Sequence, residues 1–301
     1  MPWTGGGAAV MSTAEGANEE VARAVDGLGR EVVLPVPPRR IVSLVPSITE
    51  ALFAMGLGAA VAAVTRYCVE PAERVASVPK IGGTKNPDLD AILRLHPDLV
   101  VASAEENVRE HVERLLGAGV TVYISLPHTV RRAITELRDL ARLCGASAAA
   151  EDWLRPAEAC LDLLEGRPRP RSVRYFCPVW RRPYMVAAPQ TYMSDLLRVC
   201  GGENVFGEGP ARYYAVELAE AMARDPELIL LPSEPYPFAA KHLPEIARFA
   251  EVAAVRGGRV HLVDGQLLTW YGPRIAWALD YFSALLNGEP VTDEAGAEAC
   301  P

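Results

Sequence analysis

The side chains best suited to chemistry are a thiol, an imidazole and a few carboxylates. Cys68 sits in a polar loop beside Tyr67 and close to Arg66, and a nearby cation favours the thiolate. With His128 and a carboxylate such as Glu105, a thiolate supplies ligands for a soft or borderline metal. The same Cys68 and His128 could equally act as nucleophile and base, and a partly buried loop thiol with an unrelated histidine fits the residues too. Cys144, Cys160, Cys177, Cys200 and Cys300 are never two or three positions apart. That spacing suggests neither a zinc knuckle nor a dithiol pair, and reduced, mostly buried thiols fit the cytosol.

These side chains must be positioned by an alternating chain. The stretch Arg39–Glu50 reads as a β-branched strand, a Pro46 break and a helix, with Ser47 as N-cap and Glu50 completing a capping box. Gly56 and Gly58 end that helix. Asn86 is placed as the cap of the next helix with Pro87 at its first position. Glu105–Leu116 is amphipathic, with Glu105, Glu106 and Asn107 opening it. Strands are expected at 60–65, 98–102, 120–125, 173–179, 228–231 and 260–263, with helices between them. Alternation of this kind means parallel sheets covered by helices on both faces. The organisation expected is a disordered start over 1–30, an α/β lobe over 31–145, a linker helix over 146–170, a second α/β lobe over 171–290 and a tail over 291–301. Ala91–Ser103 and Ala221–Ser233 echo each other: a helix end, an X-Pro-acid turn, then an apolar strand ending in serine.

The 301 residues carry a net charge of −8 with pI near 5.3. An acidic chain of this kind argues against nucleic acid, which needs a basic stripe. No window approaches the roughly 20 apolar residues of a membrane span. The first twenty residues show neither the pattern of a signal peptide nor a cysteine to carry a lipid. The placement expected is therefore cytoplasmic, or extracytoplasmic if a leader has been removed.

Several motifs in series resemble those of one known family. They are Arg40-Ile41-Val42-Ser43-Leu44 with Pro46, Thr49 and Glu50; Gly83-Thr84 with Asn86, Pro87 and Leu89; and His96-Pro97-Asp98-Leu99-Val100. In the second half they are Asp195-Leu196-Leu197, Gly201 through Phe206, and Asp225-Pro226-Glu227-Leu228-Ile229. Over about residues 32 to 287 the chain resembles the class III substrate-binding proteins of ABC importers for cobalamin, haem and iron–siderophores, and the cobalamin branch most. The resemblance implies two Rossmann-like lobes with parallel sheets, joined by a single long helix, with a ligand cleft between the lobes. It implies a corrinoid, haem or metal-chelate ligand and no chemistry of the protein's own. It also implies one acidic residue per lobe that docks onto an ABC permease, here Asp90 and Glu220, although Asp90 stands where the family carries the longer glutamate.

If strand ends face such a cleft, the first lobe offers Pro46, Ser47, Tyr67, Cys68, Thr84, Lys85, Glu106 and His128. The second offers Trp180, Tyr184, Tyr192, Arg212, Tyr214, Glu234, Tyr236, Trp270, Tyr271 and Arg274. Most of the aromatic residues lie between Tyr175 and Phe282, so the second lobe presents stacking surface with polar tips, suited to a planar or cyclic organic ligand. The arginines favour an anionic group on that ligand. The reading is a ligand-binding protein, taken as an intracellular relative of importer receptors. The alternative is a cytosolic enzyme built on the same cleft with Cys68, His128 or the carboxylates.

Overall fold

In the computed structural model, which describes residues 21–168, 171–207 and 209–291, the first described element is a hairpin. β1 (Val21–Val25) pairs antiparallel with β2 (Glu31–Pro35). Residues 21–30, expected within a disordered start, instead form this ribbon and its turn, because Ala24, Val32 and Leu34 bury one of its faces. Asp26 fixes the turn. Its buried carboxylate accepts from the Leu28 and Arg30 amides at 3.0 and 2.9 Å and from the Arg30 guanidinium at 2.6 Å. Next to it, the Gly27 amide donates to the Ile124 carbonyl at 2.7 Å. A Cβ on Gly27 would lie 2.3 Å from the Leu126 nitrogen, so only glycine allows this approach. Residues 1–20 and 292–301, Cys300 among them, lie outside the described residues.

The chain divides into two units. One holds the residues up to Leu126 together with Thr135–Leu154; the other holds Pro127–Ile134 and the residues from Arg155 onward. In the first unit, β3 (Ile41–Ser43) leads to α1 (Pro46–Ala54), β4 (Val61–Val64), α2 (Ala72–Val75), α3 (Leu89–Arg94), β5 (Leu99–Ser103), α4 (Arg109–Gly117) and β6 (Val122–Ser125). The sheet is parallel in the order β4-β3-β5-β6. Ile41 stands opposite Leu99, and Val100 opposite Val122. Every residue of β3, β5 and β6 is buried, which is why these strands read as continuous apolar runs rather than alternating ones. Val42, Val100 and Ile124 pack with Ile92 of α3 and with Val112 and Leu115 of α4.

Two helices cross the division. α5 (Val130–Leu143) begins among second-unit residues, where the Val130 amide donates to the Asp195 carboxylate at 2.8 Å. α6 (Ser147–Gly166) runs unbroken through Pro156, and the division falls within it between Leu154 and Arg155.

The second unit adds a layer that the alternation conceals. The single strand expected over 173–179 is two, β7 (Val173–Phe176) and β8 (Pro178–Trp180). Pro178 has no amide to donate, and the left-handed Arg182 (φ 67°) with cis Pro183 turns the chain into β9 (Tyr184–Ala187). After α7 (Tyr192–Val199) and β10 (Gly202–Asn204), β11 (Tyr213–Val216) completes an antiparallel sheet in the order β11-β9-β8. Then come α8 (Leu218–Ala223), β12 (Leu228–Pro232), α9 (Leu243–Ala247), α10 (Ala253–Arg256), β13 (Val260–Val263), α11 (Gly265–Thr269) and α12 (Ile275–Asn287). The main sheet is parallel, in the order β10-β7-β12-β13. Phe176, Val186, Phe206, Ile229, Leu231 and Phe238 form a core shared by both sheets.

The echo between the halves is structural. In each unit the residue before the turn proline is left-handed, His96 at φ 45° and Asp225 at φ 49°. In each, the acid after the proline grips the start of a neighbouring strand. The Asp98 carboxylate accepts from the Arg39 and Arg40 amides ahead of β3, and Glu227 accepts from the Arg174 amide in β7.

Candidate functional site

In parallel α/β sheets, ligands collect where the carboxyl ends of strands meet loops and helix starts. In the first unit that edge begins after β3. α1 starts at Pro46, with Val45 as an N-cap that makes no side-chain bond. Proline at the first helical position loses nothing by lacking an amide. The helix thereby starts two residues early, Ser47 falls inside it, and the Ser47–Glu50 capping box does not form. Ser47 is 2% exposed and its hydroxyl has no hydrogen-bond partner. Pro46 is buried as well, so both residues support the edge from beneath.

Cys68 follows β4 and departs from the exposed thiolate expected. It is fully buried, with Sγ 3.1 Å from the Thr49 hydroxyl and 3.2 Å from that of Thr65. Burial pushes its pKa up, against the two threonine hydrogen bonds, so the thiol keeps its proton. Arg66 turns elsewhere, to Asn86 at 3.3 Å and over the Tyr67 ring at 5.5 Å. Tyr67 is 54% exposed. Lys85 is exposed and donates to the Glu105 carbonyl at 2.9 Å, while Thr84, Glu105 and Glu106 are half-buried.

Two helix starts differ from expectation. Asp88, not Asn86, caps α3, accepting from the Ala91 amide at 2.9 Å. Glu105, Glu106 and Asn107 form a turn ahead of α4, which starts at Arg109. The Ser103 hydroxyl accepts from the Glu105 and Glu106 amides. Asn107, expected only to help open a helix, ties three loops together. Its Oδ1 accepts from the Ser103 amide at 2.8 Å, and its Nδ2 donates to the carbonyls of Leu44 and Thr84 at 3.4 and 3.0 Å.

The second unit's edge is aromatic and charged. Trp180, at 43% exposure, meets Tyr236 edge-on with ring centroids 5.6 Å apart. Tyr236 packs edge-on against Phe238 at 4.7 Å, and Tyr184 stacks on Phe238 at 6.4 Å. Beneath them Arg181 pairs with Glu245 at 2.7 Å and hydrogen-bonds Tyr236 and Tyr184. Burial alone would push the Glu245 carboxyl up, but Arg181 outweighs it and the net shift is down. His242 is buried and its pKa is lowered by desolvation, with Arg181 and Lys241 adding to the effect. Its Nδ1 accepts from the Ala239 amide at 2.9 Å.

A second cluster gathers after β12 and β13. The Glu234 carboxyl accepts from the Thr269 hydroxyl at 3.3 Å and from Trp270. Arg274 lies 5.5 Å from the Trp270 ring centroid, and Tyr271 meets Tyr192 edge-on at 5.6 Å. Trp270, Tyr271 and Tyr192 are all buried. Tyr214 donates to the Gly207 carbonyl at 3.1 Å. Exposed His128 sets Nδ1 against the Gln190 carbonyl at 3.3 Å and against the Arg212 guanidinium.

The structure thus brings together Trp180 with Tyr184 and Tyr236, and Glu234 with Trp270 and Arg274. Of the metal candidates, Cys68 and Glu105 belong to the first unit, whereas His128, expected in the first lobe, belongs to the second. Among the described residues no three His, Cys, Asp or Glu side chains form a group that could hold a metal ion, and no helix is long and apolar enough to cross a membrane. Asp90 and Glu220 are exposed in the first turns of α3 and α8, paired with Arg114 at 2.5 Å and Arg224 at 2.8 Å.

Comparison with known proteins agrees with this architecture. The family model described as periplasmic binding protein matches residues 41–267. The vitamin B12-binding protein of Vibrio campbellii is 30% identical over 207 residues, which are 68% of this chain and 72% of that one. The solved periplasmic vitamin B12-binding protein of Vibrio cholerae superposes with a TM-score of 0.71 at 23% identity, covering 84% of this chain and 98% of that one. The periplasmic haem-binding protein of Roseiflexus sp. RS-1 superposes with the same TM-score at 24% identity, covering 83% and 98%. On this evidence the chain is a binding protein with class III α/β architecture, and it belongs to the periplasmic binding protein family.

Proposed function

We propose that this protein captures a corrinoid or a related metal chelate such as haem and delivers it to an ABC permease. One observation carries the reading: in a chain of this family, the strand-end edge of the second unit presents Trp180 and Tyr236, rigid aromatic surface backed by a fixed Arg181–Glu245 pair. Aromatic faces held this way suit a large macrocycle, giving area at little entropic cost. Location follows the relatives: the solved vitamin B12- and haem-binding proteins compared above are periplasmic, which favours an extracytoplasmic site of action over the cytoplasmic one.

The protein performs no reaction on its ligand in this reading. Its strongest nucleophile candidate, Cys68, is buried and protonated, the reverse of an activated thiol. Asp90 and Glu220 are the permease contacts. Both are exposed acids in the first turn of the helix that leads into the repeated X-Pro-acid turn, so the two units offer the same signal. The salt-bridged arginines Arg114 and Arg224 hold the carboxylates without burying them.

Calorimetric titration with cyanocobalamin, haemin and a ferric siderophore tests the reading. Saturable binding of cobalamin at one site is expected, weakened in Trp180→Ala. Absence of saturable binding to any of the three would overturn it. Charge reversal at Asp90 and Glu220 together is expected to abolish stimulation of a cognate permease ATPase while leaving ligand affinity intact.

A further inference from the structure

The loop after β12 and the chain entering α11 touch through their backbones. The Gly265 amide donates to the Ser233 hydroxyl at 2.9 Å, and a Cβ at Gly265 would stand 2.4 Å from the Glu234 nitrogen. This contact delivers the Glu234 side chain to the far end of α11. There one carboxyl accepts from both Thr269 and Trp270. The Thr269 hydroxyl is itself anchored by the Gly265 carbonyl at 2.8 Å. Trp270 is thus held through its indole N–H, with the Arg274 guanidinium over its ring. Tyr271, the next residue, meets Tyr192, whose buried hydroxyl has no hydrogen-bond partner.

A half-buried carboxyl loses water contacts, and its hydrogen bonds to neighbours must replace them. The donors replacing water here come from the chain segment that carries the aromatic pair. We infer that Glu234 is a positioning residue. It fixes the plane of the Trp270 indole, and through it the Trp270–Tyr271 pair, rather than touching ligand with its charge. The affinity consequence rests on the binding function proposed above; the conformational consequence does not.

The test reads Trp270 emission in ligand-free protein, isolated as the difference between the parent and its Trp270→Phe variant. Glu234→Ala is expected to shift that component to the red and to weaken cobalamin binding about tenfold, the scale of one lost ordering contact. Glu234→Gln keeps an acceptor oxygen without the charge and is expected to restore both emission and affinity to within about twofold. Thr269→Val, which removes one neighbour of the carboxyl, gives a smaller shift in the same direction and substitutes for Glu234→Ala if that variant does not fold. Unchanged Trp270 emission in the alanine or valine variant overturns the proposal. So does a glutamine variant with parental emission but alanine-like affinity, which would make the charge a ligand contact. If the parent binds neither cobalamin nor haemin, the function proposed above fails while the emission measurements still decide the role of Glu234.

Discussion

The strand-end edges of the two units are built by opposite means. In the first unit the polar side chains turn inward to backbone. Asn107 holds the ends of three loops, Asp26 holds a turn against β6, and the Glu136 carboxylate, 1% exposed, accepts from the Ser125 hydroxyl at 2.7 Å and the Leu126 amide at 3.0 Å. In the second unit polar groups hold other side chains, as Arg181 holds Tyr236 and Tyr184 and Glu234 holds Trp270. One edge is stiffened through its main chain, the other through its rings. Substitutions should therefore divide: polar changes in the first unit act on stability, and changes in the second act on ligand recognition.

The largest expected effect is at Asp26. Asp26→Ala removes the buried end of the Arg30 pair and leaves three amides without their acceptor, and should lower stability by about 3–5 kcal/mol in urea unfolding. A loss below about 1 kcal/mol would break the comparison at its strongest point. Asn107→Ala comes next, at about 2–3 kcal/mol, because it leaves the buried Ser103 amide without its acceptor. Trp180→Ala should cost under about 1 kcal/mol of stability at an exposed site, yet weaken cobalamin binding roughly tenfold or more. Equal effects on stability and affinity there would erase the distinction between the edges.

The smallest effect is a difference in acid response within the second unit. Burial holds the Glu234 carboxyl above its ordinary value of 4.5, so its contribution is complete below about that pH and fades as pH rises through the raised value. Glu245 is held below 4.5, so its contribution is present above that pH and is lost as pH falls through the lowered value. The urea midpoint of Glu245→Gln relative to the parent should therefore recover toward acid pH, and that of Glu234→Gln should recover toward neutral pH. Parallel pH profiles for the two variants would contradict these opposite environments.

Much of the fold was legible because its signals are local. β5 and β12 are buried on both faces and read as unbroken apolar runs, and the X-Pro-acid turns repeat with their left-handed residues. The failures have physical causes. Ser47 looked like a cap because its spacing to Glu50 is right, but Pro46 starts the helix ahead of it. Residues 173–179 looked like one strand because the partners that divide them, β10 and β12 for β7 and β9 for β8, come later in the chain. Arg66 looked like an activator of Cys68 because they are two residues apart, but its guanidinium lies over Tyr67. Asn107 carried no signal of its own, since its partners Leu44 and Thr84 are 63 and 23 residues away. The aromatic wealth of the second half was plain, whereas the grouping of Trp180 with Tyr236 and of Trp270 with Glu234 depends on loops that only the folded chain brings together.

The paired acids of the repeated turn have a consequence for how the protein assembles. Asp98 grips an amide 58 residues earlier, and Glu227 one 53 residues earlier. Neither grip can close until the intervening strand and helices have collapsed, since the entropy of drawing in that length must be met first. Each grip closes when the two central strands of its sheet, β3 with β5 and β7 with β12, come into register. With one latch in each half, the reward falls on the long-range central pairing of each sheet, on which the outer strands then build.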